Sequence, residues 1–101
     1  MIIITGSVTG TPETLDELLA ASLEHVRRSR EEPGCISHAV HRDVENPLRL
    51  VFFERWESAE AVRAHIAVPA AAQFVRTATA LAASPPSLEL FTATPASPPG
   101  T

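Results

Sequence analysis

The chain alternates between two hydrophobic periods, and each change from one to the other marks an element. Residues 2–10, "IIITGSVTG", are short and β-branched and predict a strand closed by Gly10. Thr11-Pro12-Glu13 then has the form of a helix start, with a cap, a proline at the first helical position and an acid in the first turn. Leu15, Leu18, Leu19, Leu23 and Val26 follow at helical spacing, with the small Ser22 among them and Asp16, Glu17, Glu24, Arg27 and Arg28 mostly opposite. This pattern predicts an amphipathic helix of about five turns. "EEPG" ends it, and the period returns to two in residues 35–43, "CISHAVHRD", and 48–56, "LRLVFFERW", a hairpin joined by "VENP". Ser58 is placed to cap a short second helix through Ala67, and Pro69 to stop that helix and start another running to about Ala83, with Phe74, Ala78 and Leu81 on one side. Residues 87–94, "SLELFTAT", predict a last strand.

The order β-α-β-β-α-β predicts an α+β, ferredoxin-like fold, a four-stranded antiparallel sheet with helices on one face. One domain is expected over residues 1–94, with the proline-rich residues 95–101, "PASPPGT", as a disordered tail. Such a sheet, if monomeric, should be apolar toward the helices and polar toward water. Here Leu48, Leu50, Phe52 and Trp56 point one way while Val51 and Phe53 point the other, and three isoleucines open the first strand. A sheet apolar on both faces needs a second cover, which predicts a homodimer with sheets face to face, a dimeric α/β barrel.

Composition narrows the partners. With 101 residues, 45% of them hydrophobic, the chain suits a single core. Eight Lys and Arg against 12 Asp and Glu give a net charge of -4, so no basic surface favours nucleic acid. No apolar run approaches the ~20 residues of a membrane span, and Met1 leads into "IIITGSV" without a basic leader, so a soluble, cytoplasmic protein is expected. The one cysteine, Cys35, has no partner for a disulfide or a zinc knuckle and reads as a small buried strand residue.

Standard catalytic signatures are missing: the sequence has no GxGxxG, P-loop, HExxH or GxSxG. Four histidines remain. His38 and His41, three apart on a strand, face opposite ways and cannot share a metal, so no metal site is expected. His25 lies at the flank of the first helix's leucine face and reads as a boundary residue. His65 shares the sheet-facing side of its helix with Val62 and Ile66, so it is either a satisfied half-buried histidine or a base usable near neutral pH. His38, on one strand face with Ile36 and Val40, is weighed the same way. Trp56 either closes the core under the following helix or walls a flat ligand and offers an N–H. Glu54 shares its strand face and needs a partner, in Arg63, Arg76 or a polar cavity. Arg76 faces roughly opposite Phe74 and reads as a solvated side chain.

"EPGCISHAVHRD" followed by "FFERWESAEAVRAH" and a proline resembles the antibiotic biosynthesis monooxygenase domain over about residues 2–93, with Glu54, Trp56, Ala61, His65 and Pro69 as the shared framework. The resemblance implies a ferredoxin-like subunit dimerising through its sheets. It also implies chemistry drawn from a diverse set: cofactor-free oxygenation of polyketide phenols, quinol oxidation, haem breakdown and metabolism of a quorum signal. Haem degradation is disfavoured, because no Asn stands on the first strand and His65 takes the place of a tryptophan. Against anthrone oxygenases, Trp56 and Arg76 match, whereas Phe52 and Val62 stand for an Asn and a Tyr. Ala70 stands where many members carry a histidine. The expected reaction is oxidation of a small electron-rich aromatic, a phenol, quinol or anthrone, by O₂ to a quinone, with no cofactor. His65 is the first choice of base and His38 the second, Trp56 or Arg76 would steady the developing anion, and Phe52, Glu54, Val62 and Phe74 would line the substrate. The alternatives are a non-catalytic dimeric binder of quinone-like ligands and an isomerase or cyclase using the same cleft.

Overall fold

The structure is a computed structural model and describes residues 1–100. In chain order its elements are β1 (Ile2–Thr9), α1 (Leu15–Ser29), β2 (Cys35–Arg42), β3 (Arg49–Trp56), α2 (Ala59–Ala67), α3 (Pro69–Leu81) and β4 (Ser87–Thr92). The strands form one antiparallel sheet in the order β2-β3-β1-β4, with β2 and β4 at its edges. This is the ferredoxin-like βαββαβ arrangement, with the second helical segment split in two. Among the described residues no helix is long and apolar enough to cross a membrane.

Local chemistry explains most boundaries. Ser58 Oγ accepts the Ala61 N–H at 3.1 Å and starts α2. Val68 is extended, ending α2 and preceding Pro69, the first residue of α3. The start of α1 differs from the sequence reading. Thr11 does accept, taking the Thr14 N–H on Oγ1 and the Leu15 N–H on its carbonyl. That bonding closes a separate turn, however, and the helix proper begins at Leu15, making α1 four turns long rather than five.

Register decides which side chains meet. Opposite β1, Ile4 pairs with Glu54, Gly6 with Phe52 and Val8 with Leu50, and these residues face the helices. On β2 an irregularity between Cys35 and Ser37 inserts one extra residue: Cys35 lies opposite Trp56, Ser37 opposite Arg55 and His38 opposite Glu54. Ile36, expected to share the face of His38, is the unpaired residue, and 43% of it is exposed. The helix-facing core has two parts. Val8, Leu18, Val26, Leu50, Phe52 and Ala78 form one, and Ile4, Trp56 and Val62 the other. On the opposite face Phe53 and Phe91 remain 42% and 47% exposed.

Candidate functional site

Four elements each deliver one ionisable side chain to the interior where the two parts of the core meet. α1 supplies His25, β2 His38, β3 Glu54 and α2 His65, all of them buried. Their rings are neighbours: His25 and His38 have centroids 5.3 Å apart, His25 and His65 5.4 Å, His38 and His65 5.8 Å. His25 stacks on Phe74 of α3 at 4.2 Å and His65 tilts against Trp56 at 4.6 Å, so the polar group is bracketed by one aromatic from each part of the core.

Each side chain is fixed differently. Arg28 Nη2 lies 2.8 Å from His25 Nδ1 and, being always a donor, makes that nitrogen the acceptor and leaves the ring proton on Nε2. Burial first, then the neighbouring His38, His65 and Arg28, push the His25 pKa down to about 3, so this ring is neutral at ordinary pH. Glu54 Oε1 accepts the Trp56 indole N–H at 2.9 Å and lies 3.2 Å from His38 Nε2. Burial works to raise the Glu54 pKa, but His38, the indole N–H and His65 outweigh it and hold the carboxyl below its usual range. The contact with His38 is close enough for attraction yet not aligned as a hydrogen bond, and among the described residues neither ring nitrogen of His38 has an aligned hydrogen-bond partner. Glu32, in the loop after α1, places Oε1 2.8 Å from His65 Nδ1. A carboxylate there accepts from Nδ1–H and leaves the lone pair on Nε2, the arrangement that orients an imidazole base.

The group opens on a cavity of about 650 Å³ between the sheet and α3, within the range that holds a small organic ligand. His25, Glu54 and His65 stand in an otherwise apolar lining that includes Ile4, Val8, Phe52, Phe74 and Ala78, with Arg76 and Thr79 on the α3 side and Leu88 and Leu90 on β4. Gly6 lies in the floor, where a Cβ would come within 3.3 Å of Leu88 and 3.1 Å of the Ser87 carbonyl, so glycine preserves the space. Leu88 and Leu90 are 64% and 51% exposed, which puts the open side at the β4 edge.

Comparison with known proteins adds the lineage. The family model described as antibiotic biosynthesis monooxygenase matches residues 1–77. The chain belongs to the antibiotic biosynthesis monooxygenase family. A crystal structure of an antibiotic biosynthesis monooxygenase shares 26% identity and a TM-score of 0.86, over 94% of this chain and 100% of that one. A candidate antibiotic biosynthesis monooxygenase from Deinococcus radiodurans has the same fold, with 22% identity and a TM-score of 0.91 over 97% of each chain. The protein sll1783 of Synechocystis is 32% identical over 74 residues, 73% of this chain, and the chain spans about half, 50%, of that relative's length.

In this antibiotic biosynthesis monooxygenase domain the residues singled out from sequence divide into three sets. His65, Glu54, Phe52 and Phe74 line the cavity, as does Arg76, whose Nη2 donates to Gln73 Oε1 at the exposed side. His38 lies behind that lining, against Glu54. Trp56 and Val62 are buried in the second part of the core and do not line the cavity; the indole N–H, expected to face a ligand, is taken by Glu54. Glu54 finds its partners in Trp56 and His38 rather than in Arg63 or Arg76. His25, read as a boundary residue, is buried at the centre. α1 presses its small Ser22 and Ser29 on the core, both fully buried, and His25 falls between them, whereas the leucine stripe marked a face rotated to one side. Glu32 was visible only as a letter in "EPGC". The opposed parity of His38 and His41 correctly separates that pair, but three histidines from three elements converge, their nearest nitrogens all within 4.8 Å.

Proposed function

We propose that the cavity binds a small electron-rich aromatic, a phenol, quinol or anthrone, and that the protein promotes its oxidation by O₂ without a bound cofactor, with His65 as the base. The observation that carries this reading is the Glu32–His65 pair at 2.8 Å on the wall of an apolar cavity. For a phenol or anthrone, His65 Nε2 removes a proton, and the anion gives one electron to O₂. The resulting radical pair joins to form a carbon–oxygen bond. The peroxide takes up the proton held by His65, its O–O bond breaks as the carbon-bound hydrogen leaves, and water departs from the quinone. One oxygen atom is inserted and the other leaves as water, so two hydrogens of the substrate are accounted for. A dry apolar site favours electron transfer by leaving the anion poorly solvated, and Glu32 steadies the imidazolium while it holds the proton.

Oxygen-electrode assays with a panel of phenols, quinols and anthrones test the reading. His65→Ala should lower O₂ uptake by ~10²-fold or more, the usual contribution of a general base. Glu32→Gln should lower kcat by about tenfold or more with little change in KM, because the amide still fills the space but no longer stabilises the imidazolium. O₂ uptake within threefold of wild type in His65→Ala would remove the base from the scheme. The cavity's sparse polar lining also suits a binder without chemistry. Quenching of Trp56 fluorescence by aromatics with no O₂ consumption would favour that reading, and a product isomeric with its substrate would favour an isomerase. The functional unit we propose is a homodimer, a second copy covering the sheet face that leaves Phe53 and Phe91 exposed.

A further inference from the structure

We infer that His25, His38 and His65 form a binding site for one first-row divalent metal ion of the borderline class, from Co²⁺ to Zn²⁺. Imidazole nitrogens suit these ions, and here three imidazoles from three separate elements offer nitrogens within 4.8 Å of one another. Bonds of roughly 2.0–2.1 Å require a closer approach, so the rings must draw in by about an ångström. Two further observations point to a ligand at this spot. The side chain of His38 is fully buried, yet among the described residues neither of its ring nitrogens has an aligned hydrogen-bond partner, and a buried polar group left in that condition is costly. His65 is already held as a metal-ligating histidine usually is, with Glu32 on Nδ1 and Nε2 left as the donor. Glu54, 3.2 Å from His38, supplies the negative charge that a buried dication needs.

His25 sets the cost. Arg28 occupies its Nδ1, which leaves the proton on Nε2, so ligation through Nε2 requires that proton to move to Nδ1 and the half-buried Arg28 to withdraw. Arg28 is therefore a brake on metal binding, both through its charge and through the tautomer it selects. The inference goes beyond the oxygenation proposed above and does not depend on it. The two share His65 and its partner Glu32, and a bound ion would take the lone pair of His65 away from the substrate.

Untagged, metal-free full-length protein titrated with Co²⁺, followed by visible absorption, and with Zn²⁺, followed by calorimetry, tests the site. The expected result is one ion per chain, with the intense visible bands of low-coordinate cobalt. Glu32→Gln should weaken affinity ~10–100-fold, as loss of a ligand's partner does, and His38→Ala by more. His41→Ala, at the histidine outside the cluster, should leave it unchanged. Arg28→Met should tighten it by about tenfold or more, since a positive charge near the ion is removed. Cobalt affinity that is the same in wild type and His38→Ala would overturn the proposal. Because His38 is buried and its loss can unfold the chain, Arg28→Met gives an independent decision: weaker rather than tighter binding would also overturn it. Reversible Zn²⁺ inhibition of O₂ uptake would support the shared lone pair. O₂ uptake that required the ion would support the site while refuting cofactor-free oxygenation.

Discussion

His25 is the side chain whose protonation folding changes most. Its ring takes up a proton near pH 6.5 in the unfolded chain and only near about 3 in the folded protein. Between those values the unfolded state holds the extra proton, so the stability linked to His25 is complete above about pH 6.5 and is lost as pH falls toward 3. One proton amounts to at most ~1.4 kcal/mol per pH unit, so at most about 2 kcal/mol should disappear between pH 6.5 and 5. The low pKa of Glu54 acts in the same direction, but only below the ordinary carboxylate value of 4.5, which leaves the pH 5–6.5 interval free of that carboxyl. Urea denaturation at the two pH values should show a smaller loss in His25→Phe than in wild type. This role was not legible in the sequence, because the helical wheel ranks positions by hydrophobicity while the docking of α1 was decided by the small size of Ser22 and Ser29. His65 was legible, since its spacing with Val62 put it on the sheet-facing side of α2. Its partner Glu32 was not, being 33 residues away along the chain.

Among the elements, the loop between α1 and β2 does the most to place the site, because Glu32 leaves it toward His65 and Gly34 turns it back. Gly34 has φ +84, and a Cβ there would stand 2.5 Å from the Ala61 Cβ of α2. Glycine is thus required twice, for the left-handed turn and for the close approach of the helix that carries His65. Gly34→Ala should cost about 2–4 kcal/mol, adding left-handed strain to overpacking, and by pushing α2 outward should weaken the Glu32–His65 bond. Thermal unfolding measures the first effect and the O₂ uptake rate the second. The element boundaries were largely written in capping and breaking residues: Ser58, Pro69 and "EPG" all stand where they act. The extra residue at Ile36 left no such mark, since a bulge breaks period two without needing a particular side chain, and it alone explains why Cys35 and His38, three apart, both face the helices.

At the scale of the whole molecule, the outer sheet face links sequence and assembly most directly. Phe53 lies opposite Thr5 and Ala39 near the middle of that face, so Phe53→Glu should halve the mass measured by light scattering at micromolar concentration, with the far-UV spectrum unchanged. A wild-type protein that is already monomeric would leave the outward apolar residues without a cover and defeat the dimer reading. The open β4 side has another consequence. Among the described residues β4 pairs only with β1, so its other edge is open beside the exposed Leu88 and Leu90, the composition of a strand that recruits further strands without limit. What restrains it is small: Glu89 is the one charge within Ser87–Thr92, and Pro85, Pro86 and Pro95 bracket the strand so that it cannot lengthen. Glu89→Val should therefore leave the fold intact yet raise turbidity on warming, so that the edge giving access to the cavity is also where the protein's solubility is decided.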